Sequence, residues 1–177
     1  MNKIQSLSQK MQLVFETLLI LAPMITISYW TFYEFFEYIG MSWFSFEFYN
    51  QPLTINYKSK ILAILITFIP TSIIMYGIFK LKKLFHNYSM NRIFTTENVM
   101  IYRKLSITLF ALALGNIFTT PLLSLALSFQ NPVGSRFVTV SFGTTEILTL
   151  LVGFIVMTIS YVMKKGAELE LEASTTI

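Results

Sequence analysis

The chain has 177 residues, of which 54% are hydrophobic and 12% are charged, and its formal net charge is +4. Soluble globular domains carry about 25% charged residues, so this composition favours lipid as the surrounding solvent. The sequence contains no Cys, no Asp and one histidine, His86. It therefore lacks most of the residues from which disulfides, metal clusters and hydrolytic triads are built. We therefore predict no catalytic, cofactor-binding or metal-binding residues, and we expect that the protein is not an enzyme.

Four apolar runs predict transmembrane helices at about residues 12–36, 61–81, 105–129 and 142–164. An α-helix rises about 1.5 Å per residue, so about 20 apolar residues cross a hydrocarbon core about 30 Å thick. The first run is too long for the core of a signal peptide and is interpreted as an uncleaved membrane helix. The sequence predicts an all-α membrane protein, a four-helix bundle that forms a single integral membrane domain over residues 1–177.

Basic residues are distributed unequally between the two sides of the predicted bundle. Ten of the thirteen lie with the termini and the 80–104 loop, and the other three are Lys58, Lys60 and Arg136. Because basic residues are enriched in cytoplasmic segments, this asymmetry predicts that both termini are cytoplasmic.

The interval from Lys80 to Lys104 is the only long polar stretch between strongly apolar runs, and we expect helices at both of its ends. Apolar residues recur there at helical spacing, at Leu81, Leu84, Phe85 and Tyr88, so the second helix is predicted to extend past the membrane. Thr95 is placed as an N-cap and Glu97 lies in the following turn, where the helix dipole favours a carboxylate. The third helix is therefore predicted to begin near Thr96, after a turn over residues 89–94.

Side chains that alternate with a period of two residues predict a small extracytoplasmic β-sheet. Residues 44–49 and 53–58 alternate on either side of the turn signal Asn50-Gln51-Pro52, and residues 136–142 offer a third strand. A third strand is expected because a lone hairpin is only marginally stable in water.

Among the polar residues inside the predicted membrane segments, Glu16, Asn116 and Glu146 are the candidates for a functional role. An ionised group at a helix centre costs about 2.5–3.5 kcal/mol on insertion scales, so each needs a partner or a purpose. We expect Glu16 to pair with a basic residue such as Lys104 or Lys164, Glu146 to pair with Arg136, and Asn116 to bond between helices. The alternative interpretation is a proton or cation path.

Two short motifs resemble a known family. Residues 93–99, Ile-Phe-Thr-Thr-Glu-Asn-Val, followed by Arg103 and Lys104, resemble the Phe-Thr-x-Glu-Asn-Val element of the uncharacterised bacterial membrane proteins grouped as domain-of-unknown-function family 2975. The tail at residues 166–172, which ends at Thr176-Ile177, is similar to that family's closing Gly-x-x-Leu-x-x-Glu pattern. The family usually has Gly where this chain has Asn91, and Asn is the next most tolerant residue of positive φ.

The resemblance implies a multi-pass protein of the bacterial cytoplasmic membrane and, for many members, a neighbouring gene that encodes a small helix-turn-helix regulator. It implies no established biochemical activity. Since both motifs lie on the predicted cytoplasmic side, we expect a membrane-anchored sensor or regulator that docks such a DNA-binding protein. The expected docking residues are Lys82, Lys83, Asn91, Phe94, Thr95, Glu97, Asn98, Arg103, Gly166, Leu169 and Glu172.

The basic 80–104 loop is expected to face anionic lipid and not to bind nucleic acid directly, because any juxtamembrane basic cluster attracts lipid phosphates. The expected partners are thus the bilayer and the regulator. The alternative function is a small transporter or export accessory that uses Glu16, Asn116 and Glu146 along a path through the bundle.

Overall fold

The computed structural model describes residues 3–39 and 55–175, which form five α-helices and the segments between them. The helices are α1 (Lys3–Thr31), α2 (Tyr33–Tyr38), α3 (Tyr57–Ser89), α4 (Thr96–Ser128) and α5 (Thr144–Thr175). All except the short α2 are long and apolar enough to cross a membrane. The predicted all-α class and its four membrane-spanning helices are confirmed, and the chain has the build of a multi-pass membrane protein.

The long helices extend beyond the apolar runs that predict them. α3 and α4 each have 33 residues, or about 50 Å of helix, whereas the hydrocarbon core needs about 30 Å. The predicted extension of the second helix is confirmed, because α3 continues to Ser89. The first helix begins earlier than predicted, at Lys3, and is interrupted by a turn at Phe32.

The long helices pack in chain order, α1 on α3, α3 on α4 and α4 on α5, and in the described part of the chain α1 does not pack on α5. Neighbouring helices are antiparallel, as hydrogen bonds from Gln12 to Ser89 and from Trp30 to Thr67 demonstrate for α1 and α3. The bundle is therefore open between α1 and α5 in the described residues. We call the end that carries residues 3–16, 80–104 and 164–175 the basic end, and the end near Thr31 and Thr144 the opposite end.

An aromatic cluster fixes α1 against α3 and α4 near the opposite end. Tyr29 and Trp30 pack with Ala63, Leu123 and Leu127, all of which are buried. Trp30 is 0% exposed, and its Nε1 donates to the Thr67 hydroxyl at 3.0 Å, so its polar atom is satisfied inside the core.

The predicted β-sheet is wrong for the described residues, none of which forms a strand. Residues 136–142 are irregular, and two serine hydroxyls of α4 bond to three of their backbone groups. The Phe137 N–H donates to Ser128 Oγ at 3.3 Å, the Ser128 hydroxyl donates to the Phe137 carbonyl at 3.0 Å, and the Thr139 N–H donates to Ser124 Oγ at 3.0 Å. The alternation in this segment corresponds to exposure, because residues 137, 139 and 141 are half-buried and residues 138, 140 and 142 are exposed.

The other two predicted strands have different outcomes. Residues 44–49 lie outside the described residues, as do 53 and 54. Residues 55 and 56 are irregular, and Tyr57 and Lys58 begin α3. Asn56 precedes this helix, and its side-chain amide donates to the Gln130 side chain, which ties the start of α3 to the segment after α4.

Candidate functional site

The turn between α3 and α4 is built around one buried amide, that of Asn98. This side chain is 0% exposed, and its Nδ2 donates to the carbonyls of Arg92 and Ile93, both at 2.7 Å. Its Oδ1 accepts from Asn87 Nδ2 at 2.8 Å. Because a buried polar group without a partner costs about 1–3 kcal/mol, these bonds fix the path of the turn.

Asn91 takes a left-handed backbone conformation, with φ of 61°. The Asn91 N–H donates to the Tyr88 carbonyl and the Arg92 N–H to the Asn87 carbonyl, both at 3.0 Å, which satisfies the last carbonyls of α3. Asn tolerates this conformation better than any residue except Gly, so the predicted turn survives the replacement of the family's usual glycine.

The predicted start of α4 is confirmed. Thr95 is the N-cap, and its Oγ1 accepts from the Asn98 N–H at 3.3 Å. Glu97, in the first turn, lies 2.8 Å from Lys83 Nζ and 3.7 Å from Arg92 Nη2. The hydrogen bond from Lys83 is the main cause that holds the pKa of Glu97 below its ordinary value. Lys83 and Glu97 therefore form an ion pair that links α3 to α4, and we call this pair the Glu97 clamp.

A second contact between these helices lies farther from the turn. The Tyr88 and Tyr102 hydroxyls are 2.8 Å apart, next to a core formed by Leu84, Ile101 and Leu105. Burial, together with this hydrogen bond, raises the pKa of Tyr88. The helical hairpin of α3 and α4 is thus held by hydrogen bonds and an ion pair at its turn. Farther from the turn, it is held by the apolar core around Leu84.

The two motifs that carry the family resemblance meet in space. A Cβ atom added to Gly166 would lie 2.7 Å from Cδ1 of Phe94, so the Phe94 ring occupies the place of a side chain on α5. Nearby, the Ser160 hydroxyl donates to the Val99 carbonyl at 3.1 Å. Sequence reasoning singled out both Phe94 and Gly166 without predicting their contact, because nothing local links residues 72 positions apart.

Exposed apolar side chains surround this contact. Phe94 remains 47% exposed, and Leu169, one turn after Gly166 on α5, is 64% exposed. Met90, at the start of the turn, is also exposed. We call the surface formed by residues 90–97 and 166–172 the motif platform.

The remaining predicted docking residues have varied surroundings. Arg103 is exposed on α4, and Glu172 is exposed near the end of α5. Lys82 lies 2.9 Å from Glu16. The predicted pairing of Glu16 with a basic residue is confirmed, but the partners Lys104 and Lys164 are wrong, because Glu16 lies beside Lys82 of the neighbouring helix α3.

A cavity of about 630 Å³ lies between the four long helices and the segment before α5. Asn116 and Glu146 both line it, and Asn116 Nδ2 is 3.5 Å from Glu146 Oε1. Glu16 does not line it. The structure therefore brings two of the three predicted intramembrane polar residues together and leaves the third on another surface.

The predicted pairing of Glu146 with Arg136 is wrong. The Gly143 N–H donates to Glu146 Oε2 at 2.9 Å, so the carboxylate caps the start of α5. The Arg136 guanidinium lies 5.3 Å from the centroid of the Phe129 ring, and its Nε donates to the Asn131 carbonyl at 3.3 Å. The backbone bond made by Glu146 is a local capping interaction that the sequence Gly-Thr-Thr-Glu could have indicated.

Residues 19–177 match the family model described as Protein of unknown function (DUF2975), and the chain belongs to that family. The family resemblance drawn from the two motifs is confirmed. Neither the curated proteins nor the solved structures contain a match to this chain.

Proposed function

We propose that this member of the DUF2975 family is a non-enzymatic, membrane-anchored regulatory protein that docks a small cytoplasmic protein on its motif platform. The contact between Phe94 and Gly166 carries the proposal, because it unites the two motifs into one surface. This surface lies outside the apolar spans, where a soluble partner has access to it.

Hydrogen bonds and an ion pair within the chain hold the platform in place. The Asn98 amide and the Glu97 clamp hold the turn, and the Thr95 cap fixes the start of α4. A preorganised surface favours binding because little conformational freedom is lost on association. These residues therefore shape the platform from within, and we assign them no direct contact with the partner.

The residues proposed to contact the partner are those that remain exposed. Phe94 and Leu169 supply apolar anchors, and the exposed charged residues proposed to contact the partner are Arg103 and Glu172. Apolar anchors with a polar rim are the usual anatomy of a protein interface. The partner we propose is the small helix-turn-helix regulator that the family resemblance implies, on the cytoplasmic side of a bacterial membrane.

The proposal is tested by co-purification of the 177-residue protein with the helix-turn-helix regulator that the family resemblance implies. Leu169→Glu places a charge in the proposed apolar anchor and is expected to lower recovery of the regulator about tenfold or more. Val133→Glu makes the same change at an exposed residue of the opposite end and should leave recovery unchanged. Equal recovery with both variants, or no recovery with the native protein, would contradict the proposal.

The shared cavity of Asn116 and Glu146 favours a second candidate, a small transporter or export accessory. A path along all three intramembrane polar residues would need Glu16 as well, but Glu16 pairs with Lys82 away from the cavity. If the protein is a proton-coupled transporter, Glu146→Gln should abolish flux in reconstituted vesicles and Glu16→Gln should not. Loss of flux with both variants would instead favour a path that includes Glu16 as well as Asn116 and Glu146.

A further inference from the structure

Four threonines that line the half of the cavity near the opposite end donate their hydroxyl hydrogens to carbonyls of their own helices. Thr119, Thr120 and Thr149 each donate to the carbonyl four residues earlier in their own helix, at 2.7–3.0 Å. Thr71 makes the same kind of bond at 2.8 Å. Because a hydroxyl has one hydrogen and two lone pairs, these side chains retain only the capacity to accept hydrogen bonds.

The same half of the cavity carries one carboxylate and no opposite charge. Glu146 accepts from the Gly143 N–H at 2.9 Å and from Asn116 at the long distance of 3.5 Å. The cavity lining, all of which lies within the described residues, includes no Lys, Arg or His. A carboxylate in a region of low dielectric is stabilised by a cation, so the lining is complementary to positive charge.

The other half of the cavity is apolar. Leu18 and Leu21 of α1, Ile74 and Ile78 of α3, and Leu112 of α4 form its walls. The volume of about 630 Å³ falls within the range of about 300–1,000 Å³ typical of small-molecule pockets. Because α1 and α5 do not pack on each other in the described part of the chain, a molecule dissolved in the bilayer has a lateral route into it.

We infer that this cavity binds a lipophilic amine, with an ammonium head group that donates hydrogen bonds to Glu146 and the threonine oxygens and an apolar tail that lies among the leucines and isoleucines. An anionic lipid would bring its phosphate to a carboxylate without a basic residue to offset the repulsion. A neutral lipid would leave Glu146 without a counter-charge. The inference is independent of partner docking at the other end of the molecule.

The test is a binding titration of the purified full-length protein in one non-ionic detergent at one micelle concentration. Dodecylamine is the cationic probe, because alkyl amines are protonated near pH 7, and dodecanol is the neutral probe with the same tail. We expect the native protein to bind dodecylamine about tenfold or more tightly than dodecanol. Glu146→Gln should lower only the affinity for dodecylamine, by a similar factor, because Gln keeps the cap to Gly143 without the charge.

Two further variants keep the test decisive. Glu34→Gln removes a carboxylate that pairs with Lys60 at the opposite end and does not line the cavity, and it should bind both probes like the native protein. Ala22→Phe fills the cavity from α1 and should weaken both probes, whether or not Glu146→Gln folds. Equal affinity of the native protein for the two probes, unchanged amine binding in Glu146→Gln, or unchanged binding in Ala22→Phe would overturn the inference.

Discussion

The turn at the basic end and the cavity toward the opposite end use similar residues to different effect. Asn98 is fully buried and makes three hydrogen bonds of 2.7–2.8 Å through its side chain, whereas Asn116 is half-buried and has one contact at 3.5 Å. Glu97 lies beside two basic side chains, whereas Glu146 lines a cavity without any. Polar groups at the turn therefore satisfy one another and fix a shape, and those in the cavity retain bonding capacity for a ligand.

The largest expected effect comes from removing the buried amide of the turn. Asn98→Ala leaves the Arg92 and Ile93 carbonyls and the Asn87 amide without their partner, so we expect the free energy of unfolding to fall by about 2–4 kcal/mol. Reversible denaturation in mixed micelles measures this. Asn116→Ala, the matched change on the same helix, should cost less than about 1 kcal/mol. Similar losses in the two variants would remove the distinction between the two regions.

A second effect concerns the contact between the motifs. Gly166→Ala puts a Cβ 2.7 Å from the Phe94 ring, so it should destabilise the protein by about 1–2 kcal/mol or displace the ring. A double-mutant cycle with Phe94→Ala separates this contact from other effects of the substitution. The cost of Gly166→Ala should disappear when Phe94 is absent. Gly115→Ala, where the nearest side-chain atom is 3.4 Å away, serves as the control. A cost that persists without the ring would show that Gly166 acts for another reason.

A smaller effect is expected at the left-handed turn residue. Asn91→Gly should be neutral or slightly stabilising, because Gly adopts positive φ without a steric cost. Asn91→Val should cost about 1–2 kcal/mol, because a β-branched side chain clashes in that conformation. Thermal unfolding of the two variants tests this order. A valine variant as stable as the glycine variant would contradict the conformation assigned to Asn91.

The smallest effect is the pH dependence of the Glu97 clamp. Lys83 lowers the pKa of Glu97 in the folded protein, so its contribution to stability is present above the ordinary pKa of 4.5 and is lost as the pH falls through the lowered value. Glu97→Gln and Lys83→Met should both flatten this part of the stability curve, measured from neutral to acidic pH. Lys104→Met, at an exposed lysine without an ion pair in the described residues, should not. An unchanged curve in the first two variants would contradict the clamp.

The features that the sequence predicts correctly are local. The Thr95 cap, the start of α4 and the turn at Asn91 depend on backbone preferences of a few consecutive residues, and each is confirmed. The four membrane helices follow from the length of apolar runs alone. Apolar length, however, does not specify which helices are neighbours, so the partner of Glu16 and the contact of Phe94 with Gly166 required the structure.

Two of the wrong predictions, the strand at residues 136–142 and the pairing of Glu146 with Arg136, have a related cause. Alternation over residues 136–142 is compatible with a strand, but two serines of α4 are close enough to accept and donate the backbone bonds that a neighbouring strand would make. Glu146 lies within reach of a backbone N–H at the start of its own helix, and this local bond forms in place of the predicted ion pair with Arg136.

The most direct test of the proposed function is the affinity of the proposed partner, a small helix-turn-helix regulator, for the 177-residue protein in lipid nanodiscs, measured for the native chain, Phe94→Ala and Phe129→Ala. Both phenylalanines are about half exposed, but Phe94 lies on the motif platform and Phe129 lies at the opposite end. Docking on the platform predicts that Phe94→Ala weakens binding about tenfold or more and that Phe129→Ala leaves it unchanged. Equal affinities for all three proteins, or no binding to the native chain, would contradict it.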